Sequence, residues 1–187
     1  MDGNGRWAER QGEHRIVGHA NGVRSVREAL VGCREIGVEH LTLYAFSEQN
    51  WARPGEEVDA LMLLLREFLL SERDEILDNG IRLQAIGNIS RLPEYVLRPL
   101  ASLMAESAAN QGMVLSLALS YGGRESLADA MQKLAQEVAT GTLDPAAIGE
   151  DDLTAALKTA GLPQVDLLIR TSGEQRTSNF LLWESTH

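Results

Sequence analysis

The sequence predicts an α/β fold in which a mostly parallel central sheet is flanked by helices. Helical and strand-like apolar patterns alternate along the chain, which is typical of a parallel sheet covered by helices. Apolar residues make up 44% of the 187 residues, and a chain of this length and composition can form one core. We therefore expect residues 1–187 to fold as a single domain.

The N-terminal half is predicted to contain a turn, two helices and two strands. The opening sequence MDGNGRW predicts a glycine turn. A helix over 19–36 follows, because apolar residues recur on one face of it and Gly37 is a suitable stop signal. The next predicted elements are a buried strand over 40–47, a long helix over 56–78 and a strand over 81–87.

The C-terminal half continues the alternation. Its predicted elements are helices over 92–110, 124–140 and 150–160 and strands over 113–123, 165–170 and 179–184. The last two strands are predicted from short apolar runs on either side of a polar turn.

Four polar segments come next to predicted strand ends. They are DGNGR, SEQNWARP, SYGGR and RTSGEQRTS. In open parallel sheets, ligands bind at the carboxyl ends of the strands, so we expect these segments to meet at one edge. Five arginines would then share a rim, namely Arg6, Arg53, Arg124, Arg170 and Arg176. Because guanidinium groups make bidentate contacts with phosphate, this edge is a candidate phosphate site.

The turn after Arg170 is the most informative segment. Arg170 and Arg176 lie six residues apart, with Glu174 between them. The turn also carries four hydroxyl side chains, on Thr171, Ser172, Thr177 and Ser178. Such a set is suited to binding phosphate. A structural Arg–Glu pair is the alternative, but it explains only one of the two arginines.

The DGNGR segment is suited to binding an anion together with a metal cation. Glycines let backbone N–H groups approach an anion, and Asp2 beside them suits a Mg²⁺ ion that bridges phosphate oxygens. An ordinary turn is the alternative interpretation of this stretch alone.

Several functional classes are disfavoured. A formal net charge of −10 argues against general nucleic-acid binding. The chain has no G-x-x-x-x-G-K-[ST] loop, and its four histidines and one cysteine form no paired zinc motif. No apolar run reaches the ~20 residues that span a bilayer. The lone Cys33 is typical of a reducing compartment, so we expect a cytoplasmic protein.

Taken together, these segments resemble the cis-prenyltransferase family. The matching stretches are MDGNGRWA, the Gly-His pair at 18–19, LTLYAFSEQNWARP, YGGR and DLLIRTSGEQRTSNFLLWE. They occur in the family's order across the whole chain. Within the family, the match is to the bacterial enzymes that make undecaprenyl diphosphate.

The resemblance implies a reaction. Isopentenyl diphosphate units would be added in cis to farnesyl diphosphate, giving undecaprenyl diphosphate, the lipid carrier for cell-wall polysaccharides. It also implies a Mg²⁺-dependent homodimer, a six-stranded sheet and an apolar tunnel for the growing chain. A lipid product implies peripheral contact with the inner face of the membrane.

The resemblance also assigns roles to residues. Asp2 would be the catalytic aspartate and the Mg²⁺ ligand, and Asn50 would be the proton acceptor. The allylic diphosphate would be surrounded by Gly3, Asn4, Gly5, Arg6, Trp7, Arg15 and His19. The loop that orders the reacting ends would present Ser47, Glu48, Gln49, Trp51 and Arg53. The isopentenyl diphosphate would be held by Arg170, Arg176, Thr177 and Ser178. Five apolar residues would either line the tunnel or face the sheet, namely Leu61, Leu64, Leu65, Phe68 and Leu69.

The chain departs from the family pattern in several places. Gln49 stands where the family has a Glu, and Ser120 stands where it often has an Asn. By the same resemblance, the first strand would precede Met1, and a metal-binding Glu and the dimer-forming region would follow His187. We therefore expect the chain to represent a catalytic domain that lacks these parts.

Two alternatives to this function stay open. The first is a cis-prenyltransferase with a different product length. The second is a non-catalytic partner subunit of the same fold. Such subunits tend to lose the aspartate and the arginines, whereas Asp2, Arg170 and Arg176 are all present here.

Overall fold

The computed structural model describes residues 3–186. The α-helices in this range are α1 (Asn4–Arg10), α2 (Arg15–Glu35), α3 (Gly55–Ser71), α4 (Arg73–Asp78), α5 (Glu94–Glu106), α6 (Gly123–Ala139) and α7 (Glu150–Ala156). The strands are β1 (His40–Ser47), β2 (Arg82–Ile86) and β3 (Val114–Tyr121). Single 3₁₀ turns occupy Glu48–Ala52, Ile89–Arg91 and Pro145–Ala147. The α/β architecture predicted from the sequence is confirmed.

The three strands form one parallel sheet in the order β1-β3-β2. His40 and Arg82 both pair with Val114, so the two outer strands begin level with each other on either side of β3. All eight residues of β3 are buried. A nearly continuous apolar run such as VLSLALSY is typical of a strand covered on both faces.

The helices bury most of their apolar surface on one face of this sheet. Alternate side chains of β3, Leu115 to Leu119, join a core cluster with Leu30 of α2, Met62 of α3 and Leu100 of α5. A second, smaller cluster forms around Ala118 and Tyr121. Among the described helices, none has the length and apolar character needed to cross a bilayer.

Two predicted helical features differ from the structure. The N-terminal glycine segment was expected to be a turn, but Asn4–Arg10 form α1. Only Gly3, with φ of 82°, keeps a left-handed conformation, at the position just before the helix. The predicted helix 56–78 is interrupted at Glu72, which separates α3 from α4.

The two strands predicted over 165–170 and 179–184 are wrong. Ser178, Asn179 and Leu181 have φ of 50°, 66° and 44°, which a strand does not tolerate. In the first segment, Leu167 and Ile169 are about three-quarters exposed, at 75% and 76%. The apolar runs thus resemble strands in composition, but no sheet pairing is formed by these residues.

This C-terminal segment is nevertheless fixed to the sheet. Phe180 stacks on Tyr44 of β1 with ring centroids 4.4 Å apart, and meets Tyr121 of β3 edge-on at 6.2 Å. The backbone N–H of Gly123 donates to the carbonyl of Asn179 at 2.8 Å. The polar turn before Phe180 is therefore held next to the carboxyl ends of β1 and β3.

Candidate active site

Helix α1 docks closely on α2 through two glycines. A Cβ atom at Gly18 would lie 2.0 Å from the carbonyl oxygen of Asn4, and one at Gly22 would lie 2.2 Å from the Asn4 side-chain nitrogen. A Cβ at Gly5 would lie 3.0 Å from the guanidinium carbon of Arg15. These contacts place the polar residues of α1 beside the first turns of α2.

Four residues form what we call the Glu57 cluster: Arg15, His19, Arg53 and Glu57. The Glu57 carboxylate accepts a hydrogen bond from Arg53 Nη1 at 2.7 Å. The same oxygen lies 3.4 Å from His19 Nε2 and 3.6 Å from Arg15 Nε. The Glu57 and His19 side chains are only 14% and 15% exposed. One carboxylate of α3 thus gathers three basic side chains, two from α2 and one from the segment between β1 and α3.

Burial and charge shift two pKa values in this cluster. The pKa of His19 is lowered, chiefly because burial disfavours the imidazolium, and the Arg53 charge adds to this effect although Glu57 opposes it. For Glu57, burial would raise the pKa, but the charge and hydrogen bond of Arg53 together with Arg15 lower it. Glu57 is therefore held as a carboxylate, and His19 favours the neutral form.

Three residues form the Glu174 cluster: Arg6, Glu174 and Arg176. Arg6 Nη1 lies 2.9 Å from Glu174 Oε1, and Arg176 Nη1 lies 3.3 Å from Glu174 Oε2. Beside them, a Cβ at Gly3 would lie 2.3 Å from Ser172 Oγ. Asp2 is outside the described residues, but the residue that follows it packs against this turn. The two distant ends of the chain therefore meet.

The rest of the turn is organised by Arg170. Its guanidinium donates to Ser178 Oγ at 2.5 Å and to the carbonyl of Arg176. Ser178 and Thr177 are exposed, and the Thr177 carbonyl accepts from the N–H of Phe180 at 3.3 Å. Two arginines and two hydroxyl groups are thus presented within one short segment.

The loop after β1 is anchored to the end of β3. Trp51 Nε1 donates to Ser120 Oγ at 2.9 Å, and Ser120 Oγ donates to Glu48 at 2.8 Å. Arg91 pairs with Glu48 and lies over the Trp51 ring, 4.8 Å from its centroid. Trp51 is thus a loop anchor in this structure.

Two amides on this loop also have structural partners. The Asn50 side-chain oxygen accepts from the N–H of Ser47 at 2.9 Å. Gln49 donates to Glu125 at 3.2 Å, which directs it towards α6. Neither residue contacts the Glu57 or Glu174 cluster in the contacts described, and their assigned roles in substrate binding and proton removal stay predictions.

Arg124 and Trp7 complete the predicted set. The backbone N–H of Arg124, at the start of α6, donates to the Asn179 side chain at 2.7 Å, while its own side chain is exposed. Trp7 is 49% exposed on α1.

An apolar cavity of about 140 Å³ lies between α2, α3 and the sheet. Asn4 and His19 lie at its polar edge. Its apolar walls include Val23, Val26, Leu61, Leu64, Leu65 and Phe68. Of the five residues proposed for a tunnel or the sheet-facing core, Leu69 belongs to the buried core and the other four line the cavity. A polar edge therefore opens onto an apolar space.

Sequence reasoning missed Glu57 as a site residue and gave Glu174 only a structural role. The four-residue spacing of Arg53 and Glu57 at a helix start was a usable signal for the first. The contact between Arg6 and Glu174 spans 168 positions, and no local pattern could have indicated it.

Fold and site together define an α/β protein with two basic clusters beside an apolar cavity. The undecaprenyl diphosphate synthase model of the prenyltransferases matches residues 1–187. The chain belongs to this family.

Curated relatives have similar sequences. The isoprenyl transferase of Clostridium perfringens is 46% identical over 187 residues, covering 100% of this chain and 74% of the relative. That of Porphyromonas gingivalis is 48% identical, with the same shares. A Vibrio vulnificus ditrans,polycis-undecaprenyl-diphosphate synthase specific for (2E,6E)-farnesyl diphosphate is 44% identical, again with the same shares.

Solved structures are similar as well. Lavandulyl diphosphate synthase from Lavandula x intermedia, in complex with dimethylallyl diphosphate, aligns with a TM-score of 0.94 and 39% identity, over 98% of this chain and 80% of that one. A Campylobacter jejuni protein described as a probable undecaprenyl diphosphate synthase aligns with a TM-score of 0.75 and 32% identity, over 88% of this chain and 76% of that one.

Proposed function

We propose that this protein is a prenyltransferase that condenses isopentenyl diphosphate units in cis onto farnesyl diphosphate, making undecaprenyl diphosphate. The observation that carries the proposal is the polar edge of the apolar cavity, where Asn4 and His19 meet walls of leucine and valine. An allylic diphosphate has the matching form, with an anionic head and a hydrocarbon tail. The names of the relatives support the same reaction.

The Glu57 cluster and α1 would hold the allylic diphosphate. Arg15 and Arg53 supply guanidinium groups, and the backbone N–H groups at the start of α1 add donors. As the bond to the diphosphate breaks, negative charge develops on the leaving group and preorganised cations stabilise it. The cavity would exclude water from the cation-like allylic carbon, so that the alkene of the second substrate attacks it. The cation formed on the isopentenyl unit would then lose a proton, which restores a double bond.

The turn around Glu174 would hold the isopentenyl diphosphate. Arg170, Arg176 and Ser178 present donors within one exposed segment. Before substrate arrives, the single Glu174 carboxylate pairs with both Arg6 and Arg176, and a diphosphate would compete for both arginines. Because Gly3 packs against Ser172, the two head groups would lie side by side.

We propose Mg²⁺ as the metal ion. Within residues 3–186, no three His, Cys, Asp or Glu side chains converge closely enough to hold an ion by themselves. Mg²⁺ is commonly bound by one or two carboxylates together with substrate phosphates. Asp2 would supply such a carboxylate, and Ser172 Oγ lies beside the adjacent residue 3. When bound, the ion would withdraw charge from the diphosphate.

Further proposals concern the whole protein. Residues 1–187 would form one catalytic domain of a cytoplasmic homodimer, and the lipid product would be released through peripheral membrane contact. The family membership supports these assignments.

A shorter product is the second candidate. The solved structure that aligns with a TM-score of 0.94 is a lavandulyl diphosphate synthase bound to dimethylallyl diphosphate. The same head-group site could thus serve a short allylic substrate.

One experiment separates these candidates. The protein is incubated with labelled isopentenyl diphosphate, Mg²⁺ and either farnesyl or dimethylallyl diphosphate, and the products are sized by chromatography. We expect a long-chain product from farnesyl diphosphate. A single short product would favour the second candidate, and no incorporation with either substrate would refute prenyl transfer by this chain.

Replacement of the proposed metal ligand gives a sharper test. Asp2→Ala should lower turnover by at least ~10²-fold, the scale of losing a key electrostatic contact. Binding of isopentenyl diphosphate should survive, because its proposed site is the other turn. Near-normal turnover of this variant would remove Asp2 from the mechanism.

A further inference from the structure

An ion pair between a half-exposed arginine and a buried carboxylate joins α2 to the junction of α3 and α4. Arg27 Nε donates to Glu72 Oε2 at 2.8 Å, and Arg27 Nη2 donates to Glu72 Oε1 at 2.7 Å. The Glu72 side chain is 3% exposed, and Ser71 Oγ lies 3.2 Å from the same carboxylate. A bidentate pair of this kind fixes direction as well as distance.

This pair adjoins two residues that line the apolar cavity. Val26 directly precedes Arg27, and Phe68 lies one helical turn before Glu72; both line the cavity. His19, at the polar edge, is eight residues before Arg27 on the same helix, or about 12 Å along its axis. Moving from the diphosphate edge along α2, a hydrocarbon chain therefore reaches Val26 and then the level of the ion pair.

The position of Glu72 in the chain allows the ion pair to hold the end of α3. Glu72 is the residue at which α3 ends and α4 begins, with its N–H bonded to the carbonyl of Phe68 at 2.9 Å. Holding Glu72 thus holds the last turn of α3, which carries Phe68. No other ion pair between α2 and α3 or α4 is found at this end in the described part of the chain.

We propose that the Arg27–Glu72 pair is the end stop of the apolar cavity and limits the length of the chain that the enzyme makes. This inference rests on the function proposed above. The pair sets the separation of Val26 and Phe68, so that the tip of a growing chain meets a closed wall. Without it, the helices separate at this end and further isoprene units are accommodated.

The test uses a neutral double variant. Arg27→Met alone leaves a buried carboxylate without its partner and is expected to destabilise the fold. Arg27→Met combined with Glu72→Gln removes both charges and keeps similar side-chain volumes. Arg24→Met is the matched control, because Arg24 lies one turn earlier on α2, where its pair with Glu28 is exposed on both sides.

The first readout is the product distribution. We expect the double variant to give products at least one isoprene unit longer than the wild type, with the KM for isopentenyl diphosphate unchanged. Arg24→Met should give the wild-type distribution. If the double variant folds but makes wild-type or shorter products, the pair stabilises the fold and does not set product length.

The second readout does not need turnover. Binding of alkyl phosphates of increasing length is measured by calorimetry for wild type, control and double variant. We expect affinity to stop rising at a longer chain in the double variant. If affinity stops rising at the same chain length in all three proteins, the pair is not the end stop. If none of the three proteins turns over substrate but their affinities stop rising at different chain lengths, the prenyltransferase assignment fails and the end stop stands.

Discussion

The two basic clusters of the site are built in different ways. The Glu57 cluster is attached to helices α2 and α3, and its arginines Arg15 and Arg53 are 39% and 34% exposed. The Glu174 cluster joins α1 to an irregular turn, and its arginines are 44% and 69% exposed. A cluster on helices is preorganised before a ligand binds, whereas one on a turn can rearrange around it. We infer that the allylic head group meets a fixed site and the isopentenyl head group meets an adjustable one.

Of the two clusters, the Glu174 cluster is expected to give the larger effect when it is altered. Arg176→Ala should raise the KM for isopentenyl diphosphate roughly 10- to 100-fold, the scale of one hydrogen bond to a charged group. Turnover at saturation should change less, because the reacting groups stay in place. Steady-state kinetics in each substrate measure both quantities. Arg98→Ala, which removes an exposed arginine of α5, is the control, and equal effects of the two variants would refute the assignment.

A smaller effect is expected when the Glu57 cluster is altered. Glu57→Gln keeps the shape of the side chain but removes the charge that orients Arg15, His19 and Arg53. We expect kcat/KM for the allylic substrate to fall about tenfold through lost positioning. Glu94→Gln, on an exposed pair of α5, should have no effect. A larger KM change for isopentenyl diphosphate than for the allylic substrate would reverse the assignment of the clusters.

Glu174→Gln should have a weaker effect still. The two arginines that pair with Glu174 are 44% and 69% exposed, so solvent screens the ion pairs, and substrate is proposed to displace them in any case. We expect kcat/KM to change by no more than about fivefold. A loss greater than that of Glu57→Gln would show that the turn, too, must be preorganised.

The smallest expected effect is a pH dependence of stability. The folded state lowers the pKa of His19 below its ordinary value of 6.5, so the unfolded state binds the proton more readily below that pH. Stability should therefore decrease as the pH falls below about 6.5, and again below about 4.5, where the lowered pKa of Glu57 has the same sign. Thermal unfolding across this range measures it. His19→Gln should flatten the upper part of the curve, and an unchanged curve would contradict this account.

The sequence was sufficient for elements with strong periodicity or continuous burial. Helix α2 and strands β1, β2 and β3 lie where the apolar patterns place them, because those patterns report burial directly. The segments over 165–170 and 179–184 have the composition of strands, but strand formation depends on a neighbouring strand and on permitted φ angles. Residues such as Asn179, at φ of 66°, follow tertiary contacts that composition does not reveal.

The site was predictable to a similar extent. Motif resemblance indicated the basic residues, since guanidinium groups and hydroxyls in one turn suggest phosphate from their chemistry alone. The acids that arrange them were harder to recognise. Glu57 has a local signal in its spacing from Arg53, but Glu174 acquires its partner Arg6 only when the chain has folded.

The burial of β3 along its whole length has a consequence for local unfolding. Its amides are bonded within a sheet between two other strands and should be the slowest to exchange in heavy water. The irregular segment beyond residue 157 lies outside the sheet, where contacts such as the stacking of Phe180 on Tyr44 fix it, and should exchange much earlier. The protein would thus release its C-terminal turn, and the head group proposed to bind there, while the apolar wall stays folded.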